Sequence, residues 1–272
     1  MHYSWDLAYG AYDEKITRDS LVGIKLNIVK NPFTNKWFAD PFILGEDTHS
    51  IQFLVEEFDY SVGRGRIARL LVDKGDNEIK ECNIILDLPT HLSFPVIYRV
   101  NDETFVHPEN SESGRSFIYR YDRENDKLVE PRLMVDEPIT DAIIRKEGDS
   151  FRMFATRVPE SNGCILHEYR SVGLFGPYKH VYEERFDKNT ARMAGMFLHG
   201  HNGIVRPAQD CYGDYGKAVI MYRGHKELCR IAPQSYKHAG IHTFNTLGKT
   251  FVIDIKKYDY PVIYKLIRMI KK

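Results

Sequence analysis

The same small pattern returns five times along this chain, at intervals of about fifty residues. A short polar or proline-containing cluster leads into an apolar strand, a tight turn, a second apolar strand and a polar exit. The copies begin at Asp40, Ser93, Asp141, Arg192 and His242. A β-rich repeat of this length cannot bury its apolar face alone, and propeller blades are the stacked arrangement that solves the problem. The expected fold is all-β: one five-bladed β-propeller domain over residues 1–272, with four-stranded antiparallel blades.

Each copy also carries a candidate third strand: Arg66–Val72, Ser116–Tyr121, Cys164–Tyr169, Lys217–Tyr222 and Pro261–Ile267. All show the alternation or β-branched content of half-buried strands. Tyr3–Tyr9 is expected to complete the final blade, because a ring that joins the two ends of its chain leaves no exposed edge. No segment has the periodicity of a long amphipathic helix.

Composition narrows the function classes. Lys+Arg and Asp+Glu each number 38, so no global field attracts nucleic acid. No apolar run approaches the roughly twenty residues of a membrane span. The start, MHYSWDLAYG, lacks the basic-then-apolar order of a secretion signal. Cys82, Cys164, Cys211 and Cys229 show no CxxC spacing and read as free thiols in a reducing, cytoplasmic setting. The basic end, YKLIRMIKK, reads as a last strand or helix with a solvated tip.

In a propeller the innermost strand of every blade starts at one central funnel, so Asp40, Ser93, Asp141, Arg192 and His242 should be neighbours there. A second ring comes from the end of the next strand: Glu56-Glu57, Glu109, Thr156, Gln209-Asp210 and Asp254. Glu56 and Glu57 alternate faces, so one of them points inward. Crowded carboxylates drive their pKa values apart, which keeps one protonated while another is ionised. Glycosidic bond chemistry needs such a pair, about 5–5.5 Å apart for retention and about 6.5–9.5 Å for inversion. Arg192 and Arg206 can grip a phosphate or carboxylate, or tie down the central acids. His91, His199 and His201 read as surface or turn residues. No metal ligand set is assigned, although a central cation near His242 is compatible with the acidic axis. Gly63-Arg64-Gly65-Arg66 lacks a following helix and reads as a hairpin turn.

The order of Trp37-Phe38-Ala39-Asp40-Pro41-Phe42, Val55-Glu56-Glu57-Phe58, His91-Leu92-Ser93-Phe94-Pro95 and His107-Pro108-Glu109-Asn110 is informative. So is its continuation in Thr140-Asp141-Ala142, Leu174-Phe175-Gly176-Pro177-Tyr178 with His180, Arg206-Pro207-Ala208-Gln209-Asp210-Cys211 and Tyr215-Gly216. Together they resemble the N-terminal β-propeller domain of glucosamine inositolphosphorylceramide transferases and its stand-alone bacterial relatives. That domain is similar in turn to the five-bladed propellers of arabinanases, xylosidases and fructan-processing enzymes. The resemblance implies that Asp40 acts as base or nucleophile and that Asp141 orients or tunes it. Those enzymes place a general-acid Glu on a later blade. Here the fourth blade offers Arg206, Gln209 and Asp210 instead, which sets the chain apart from ordinary glycosidases.

The resulting expectation is a carbohydrate-active enzyme of cytoplasmic glycan assembly that transfers or cleaves a glycosyl unit. Its ligand would be a carbohydrate or sugar nucleotide, and other glycan-assembly enzymes are candidate partners. Asp40 and Asp141, with Glu57 or Glu109 as acid, carry the chemistry. Glu56, Ser93, Arg192, Arg206, Gln209, Asp210 and His242 hold the substrate. The alternative is a propeller that binds glycans or serves as a scaffold without catalysis. That reading gains weight from the missing fourth-blade Glu.

Overall fold

The computed structural model describes residues 3–233, 235 and 238–258. The expected third strand at Pro261–Ile267 and the basic C-terminal end lie outside the described residues. What is described is nearly all β, in five four-stranded sheets. The chain enters through β1 (Tyr3–Ala11), a single helical turn α1 (Ile16–Asp19) and β2 (Asn27–Ile28). The first blade follows as β3 (Lys36–Glu46), β4 (Ser50–Asp59), β5 (Arg64–Asp73) and β6 (Ile79–Leu86). The second is β7 (Ser93–Val100), β8 (Glu103–Glu109), β9 (Ser116–Asp122) and β10 (Lys127–Val135). The third is β11 (Ile139–Glu147), β12 (Ser150–Arg157), β13 (Ile165–Ser171) and β14 (Lys179–Arg185). The fourth is β15 (Leu198–Gly200), β16 (Gly203–Asp210), β17 (Ala218–Arg223) and β18 (Lys226–Ile231). The fifth blade draws on both ends of the chain. Its inner strands are β19 (Phe244–Leu247) and β20 (Thr250–Tyr258), and β1 and β2 complete it in the order β19-β20-β1-β2. β1 runs antiparallel to β20 over its whole length, from Tyr3 opposite Tyr258 to Ala11 opposite Thr250. Among the described residues no helix is long and apolar enough to cross a membrane.

The apolar residues of the inner strands pack between blades. Phe42 of the first blade meets Phe94 of the second edge-on at 5.2 Å, and one core joins the first three blades through Leu54, Val96, Ile143 and Met153. Burying such side chains contributes about 1.5–3 kcal/mol each.

Polar contacts tie every seam near the axis. Phe94 N–H donates to Asp40 Oδ2 at 3.1 Å between the first and second blades, and Ile144 N–H donates to the Tyr98 hydroxyl at 2.7 Å between the second and third. Gln209 Nε2 donates to Asp141 Oδ2 at 2.6 Å between the third and fourth. Phe244 N–H donates to Ala194 O at 2.8 Å between the fourth and fifth. Asp40 N–H donates to Asp254 Oδ2 at 3.0 Å, and Asn245 Nδ2 donates to Pro41 O at 3.0 Å, closing the fifth onto the first. The fourth and fifth blades approach so closely at Gly195 (φ 154°) that a Cβ there would sit 2.1 Å from Phe244 O.

Candidate functional site

Three inner strands break their ladder at the same place. The register shifts between Ala39 and Phe42, between Ser93 and Val96, and between Thr140 and Ile143. The residues at these bulges sit in the left-handed region: Asp40 at φ 51°, Phe94 at φ 44° and Asp141 at φ 48°. Such backbone costs about 1–3 kcal/mol per residue and concentrates at functional sites, and bulges re-aim side chains. The pairings Ala39–Glu56, Ser93–Glu109 and Thr140–Thr156 fix the equivalences. Asp40 therefore corresponds to Phe94 and Asp141, while Ser93 corresponds to Ala39 and Thr140. The repeat as read from sequence sets Ser93 one residue out of phase with the two aspartates.

The funnel holds a cavity of about 270 Å³. Of the residues expected there, Asp40, Glu56, Ser93, Glu109, Arg192 and His242 line it. Asp141 lies directly beneath: Arg192 Nε and Nη2 grip its carboxylate at 2.5 and 3.1 Å, and Gln209 donates to the same group. Asp141 is 1% exposed and holds Arg192 in place at the funnel.

Four expected residues are elsewhere, and the first, Gln209, is fully buried and donates to Asp141 and Met193 O instead of lining the cavity. Glu57 points away from the funnel and is clamped by Lys36 Nζ at 2.6 Å and by Arg66 at 3.0 and 3.1 Å. The alternation of β4 gives Glu56 the inward face, so Glu57 is a structural ion-pair centre and not the acid. Arg206 is buried over Phe186 and Tyr222 and donates to Ala191 O and Thr190 O. Burial pulls its pKa down to about 10. Asp210 pairs with Arg230 and stands 3.8 Å from Lys217. Neither Arg206 nor Asp210 lines the cavity.

The aromatic wall is what the sequence reading missed. Tyr3 and Trp5, on the same face of β1, line the funnel together with Trp37, Phe58 and Tyr215. Trp37 and Phe58 stack at 4.9 Å with an interplanar angle of 2°. Trp5 stacks on His242 at 3.9 Å. The signal was present in the alternation of Tyr3 and Trp5, but β1 was assigned only the task of closing the ring. His91, expected at the surface, also lines the funnel. It accepts from Gly65 N–H at 3.0 Å and stands 3.3 Å from Glu56.

Electrostatics divide the ionisable groups into two kinds. Arg192 and His242 already have their own anions. Burial lowers the Arg192 pKa, but the Asp141 charge, the nearby Tyr215 and the hydrogen bonds to Asp141 together outweigh it and hold the guanidinium well above its usual range. Burial also works against the His242 charge, yet Asp254 Oδ2 at 2.7 Å from Nδ1 and Asp40 Oδ1 at 3.2 Å from Nε2 raise its pKa. Asp254 is pushed up by burial but ends lowered, through the His242 charge and donors from His242 N–H and Thr243. Asp40 and Glu56 are the second kind. Burial lifts Asp40 well above the ordinary carboxylate range, with His242 opposing and Asp141 and Glu56 reinforcing. Burial lifts Glu56 likewise, reinforced by the Glu109 charge. Asp40 Oδ1 is buried without an aligned hydrogen-bond donor. Glu109 accepts from Ser93 Oγ at 3.2 Å and Ser111 N–H at 2.9 Å. Asp40, His242 and Asp254 bring one donor atom each within 4.8 Å of one another, a set that can hold the central cation considered above.

These shifts make stability depend on pH. Asp40, Glu56 and His242 bind protons more tightly folded than unfolded, so their contribution is present below their unfolded pKa values and lost as pH rises through the folded ones. Asp254 has the opposite sign and loses its contribution in acid. Glu56→Gln removes one raised group. Its melting temperature is expected to exceed the parent's near about pH 8 and to show no gain near about pH 4. Equal gains at both pH values in differential scanning calorimetry would contradict the assignment.

The closed ring of five four-stranded sheets is a fold shared with solved structures of family-43 glycoside hydrolases. A thermostable family-43 glycoside hydrolase superposes with a TM-score of 0.54 at 12% identity, covering 79% of this chain and 85% of the other. The exo-beta-1,3-galactanase of Phanerochaete chrysosporium with galactose gives 0.53 at 10% identity, covering 69% and 47%. These likenesses concern the fold. The chain itself belongs to the family described as glucosamine inositolphosphorylceramide transferase 1, N-terminal, whose model matches residues 24–244. Glucosamine inositolphosphorylceramide transferase 1 of Oryza sativa subsp. japonica is 25% identical over 218 residues, covering 77% of this chain and 28% of the relative. The protein of that name from Arabidopsis thaliana is 25% identical over 200 residues, covering 69% and 26%. This chain thus spans little more than a quarter of the length of the curated relatives it matches.

Proposed function

We propose that the funnel binds one glycosyl unit, preferentially an amino sugar, and acts at its glycosidic bond. The observation that carries this reading is the pairing of an aromatic wall with uncompensated acids. A sugar ring can lie against Trp37, Trp5 or Tyr215 while its hydroxyls meet Ser93, Glu109 and Arg192. Arg192 and His242 are each neutralised by a buried aspartate, which leaves Asp40, Glu56 and Glu109 to face the ligand. An ammonium group placed among them would be met by charge-assisted hydrogen bonds. The relatives' name contains glucosamine, which agrees with such a ligand. Glu56, held protonated by burial, suits proton donation to a leaving oxygen; Asp40 suits activation of the attacking group once its proton has moved.

The test is calorimetric titration with glucosamine, glucose and N-acetylglucosamine, followed by product analysis on aryl glycosides and sugar nucleotides of whichever sugar binds. Glucosamine should bind at least about tenfold tighter than glucose, the worth of one charged hydrogen bond. Equal affinities would remove the amino-sugar preference, and no binding of any sugar would remove the reading altogether. A second reading, glycan binding without turnover, is favoured by one observation: the fourth blade presents Gln209, already committed to Asp141, where a carboxylic acid would be needed. Binding with no product from any donor would decide for it.

A further inference from the structure

The outer edge of the third blade carries a cluster that the funnel does not use. His167 on β13 faces Glu183 on β14 as a direct pair, and Glu168 faces Tyr182. The ladder then shifts, so that Tyr169 pairs with His180 and Val181 is passed over. Without that one-residue bulge His180 would lie on the opposite face from Glu183. With it, both side chains share the face of His167. His167 Nδ1 lies 3.2 Å from His180 Nε2 and 3.3 Å from Glu183 Oε1, and His180 Nε2 lies 3.8 Å from the same oxygen.

From this geometry we infer a divalent metal site of the zinc type, with His167, His180 and Glu183 as ligands. A tetrahedral ion bound at about 2.0–2.1 Å holds its donor atoms about 3.3–3.4 Å apart, close to the three separations seen. Two imidazoles and one carboxylate are a donor set suited to zinc. A hydrogen-bonded cluster satisfies these atoms less well, since one shared proton between the two rings leaves the carboxylate with no donor of its own. Arg157, whose charge acts on His167, is occupied by Glu137 at 2.7 Å. His167 is 8% exposed, whereas the His180 and Glu183 side chains are 30% and 51% exposed. The ion therefore enters from solvent, and its fourth position is left to water. Its effect is to pin β14, an edge strand whose residues are nearly all exposed, onto β13.

The experiment uses the full chain, free of purification tags and stripped with a chelator. Titration with Zn²⁺ should show an equivalent that requires His167, His180 and Glu183, with a rise in melting temperature, and Co²⁺ bound there should give the intense visible absorption of a tetrahedral site. His180→Ala should weaken binding at least about tenfold and abolish the cobalt band. Glu183→Gln, which keeps shape and exposure, serves should the alanine variant fold poorly, and it should weaken binding in the same direction. Asp40→Asn should leave the equivalent intact, because the axial cluster is separate. The inference is overturned if no equivalent binds, if binding survives His180→Ala and Glu183→Gln, or if it is lost in Asp40→Asn.

Discussion

Arg192→Met is expected to destabilise the protein by about 3–5 kcal/mol, the cost of leaving one partner of a buried ion pair uncompensated. Asp141 is 1% exposed and receives two hydrogen bonds from Arg192 and one from Gln209. Methionine fills the space of the aliphatic stem but supplies no donor. For a chain of this size the loss corresponds to a fall in melting temperature of very roughly 6–20 °C. The double variant Arg192→Met/Asp141→Asn should recover at least half of it, because removing both charges is far cheaper than removing one. The check is a double-mutant cycle by chemical denaturation. A loss below about 1 kcal/mol in the single variant would show that Asp141 is satisfied by other means and that the pair is not what braces the third blade against the fourth.

Asp40→Asn carries the largest functional effect. Turnover on any glycosyl substrate of the funnel should fall by about 10²–10⁴-fold, the usual worth of a positioned acid–base group, while the affinity for neutral sugars stays within a few-fold. Asparagine keeps an acceptor for Phe94 N–H, so the seam between the first and second blades survives. The paired control is Glu57→Gln. Glu57 lies away from the funnel between Lys36 and Arg66, so its loss should lower stability and leave turnover per folded molecule unchanged. If the two variants lose turnover alike, Asp40 has no special part in the chemistry.

The fold was legible because a repeat of about fifty residues with hairpin signals admits few closures. The candidate site was legible only in part, for reasons that differ by residue. Asp40 and Asp141 share a bulge, but Ser93 occupies the neighbouring phase, and alignment by spacing cannot detect a one-residue shift where the side chain at the bulge is Phe94. Glu56 and Glu57 differ only in parity, which the register of β3 and β4 decides. Arg206 and Asp210 find partners, Thr190 O and Arg230, that come from a preceding loop and from the outermost strand of the same blade. The aromatic wall was hidden because Tyr3 and Trp5 arrive from the far end of the chain, as the third strand of the last blade.

That arrangement has a consequence for biosynthesis. β1 is made before every other described strand, yet the strand it pairs with, Thr250–Tyr258, is made after all of them. The funnel's Trp5 wall and its His242 partner are therefore brought together only once the four blades between them have been translated. A circular permutant cut between blades would reorder this sequence of events without altering the finished ring.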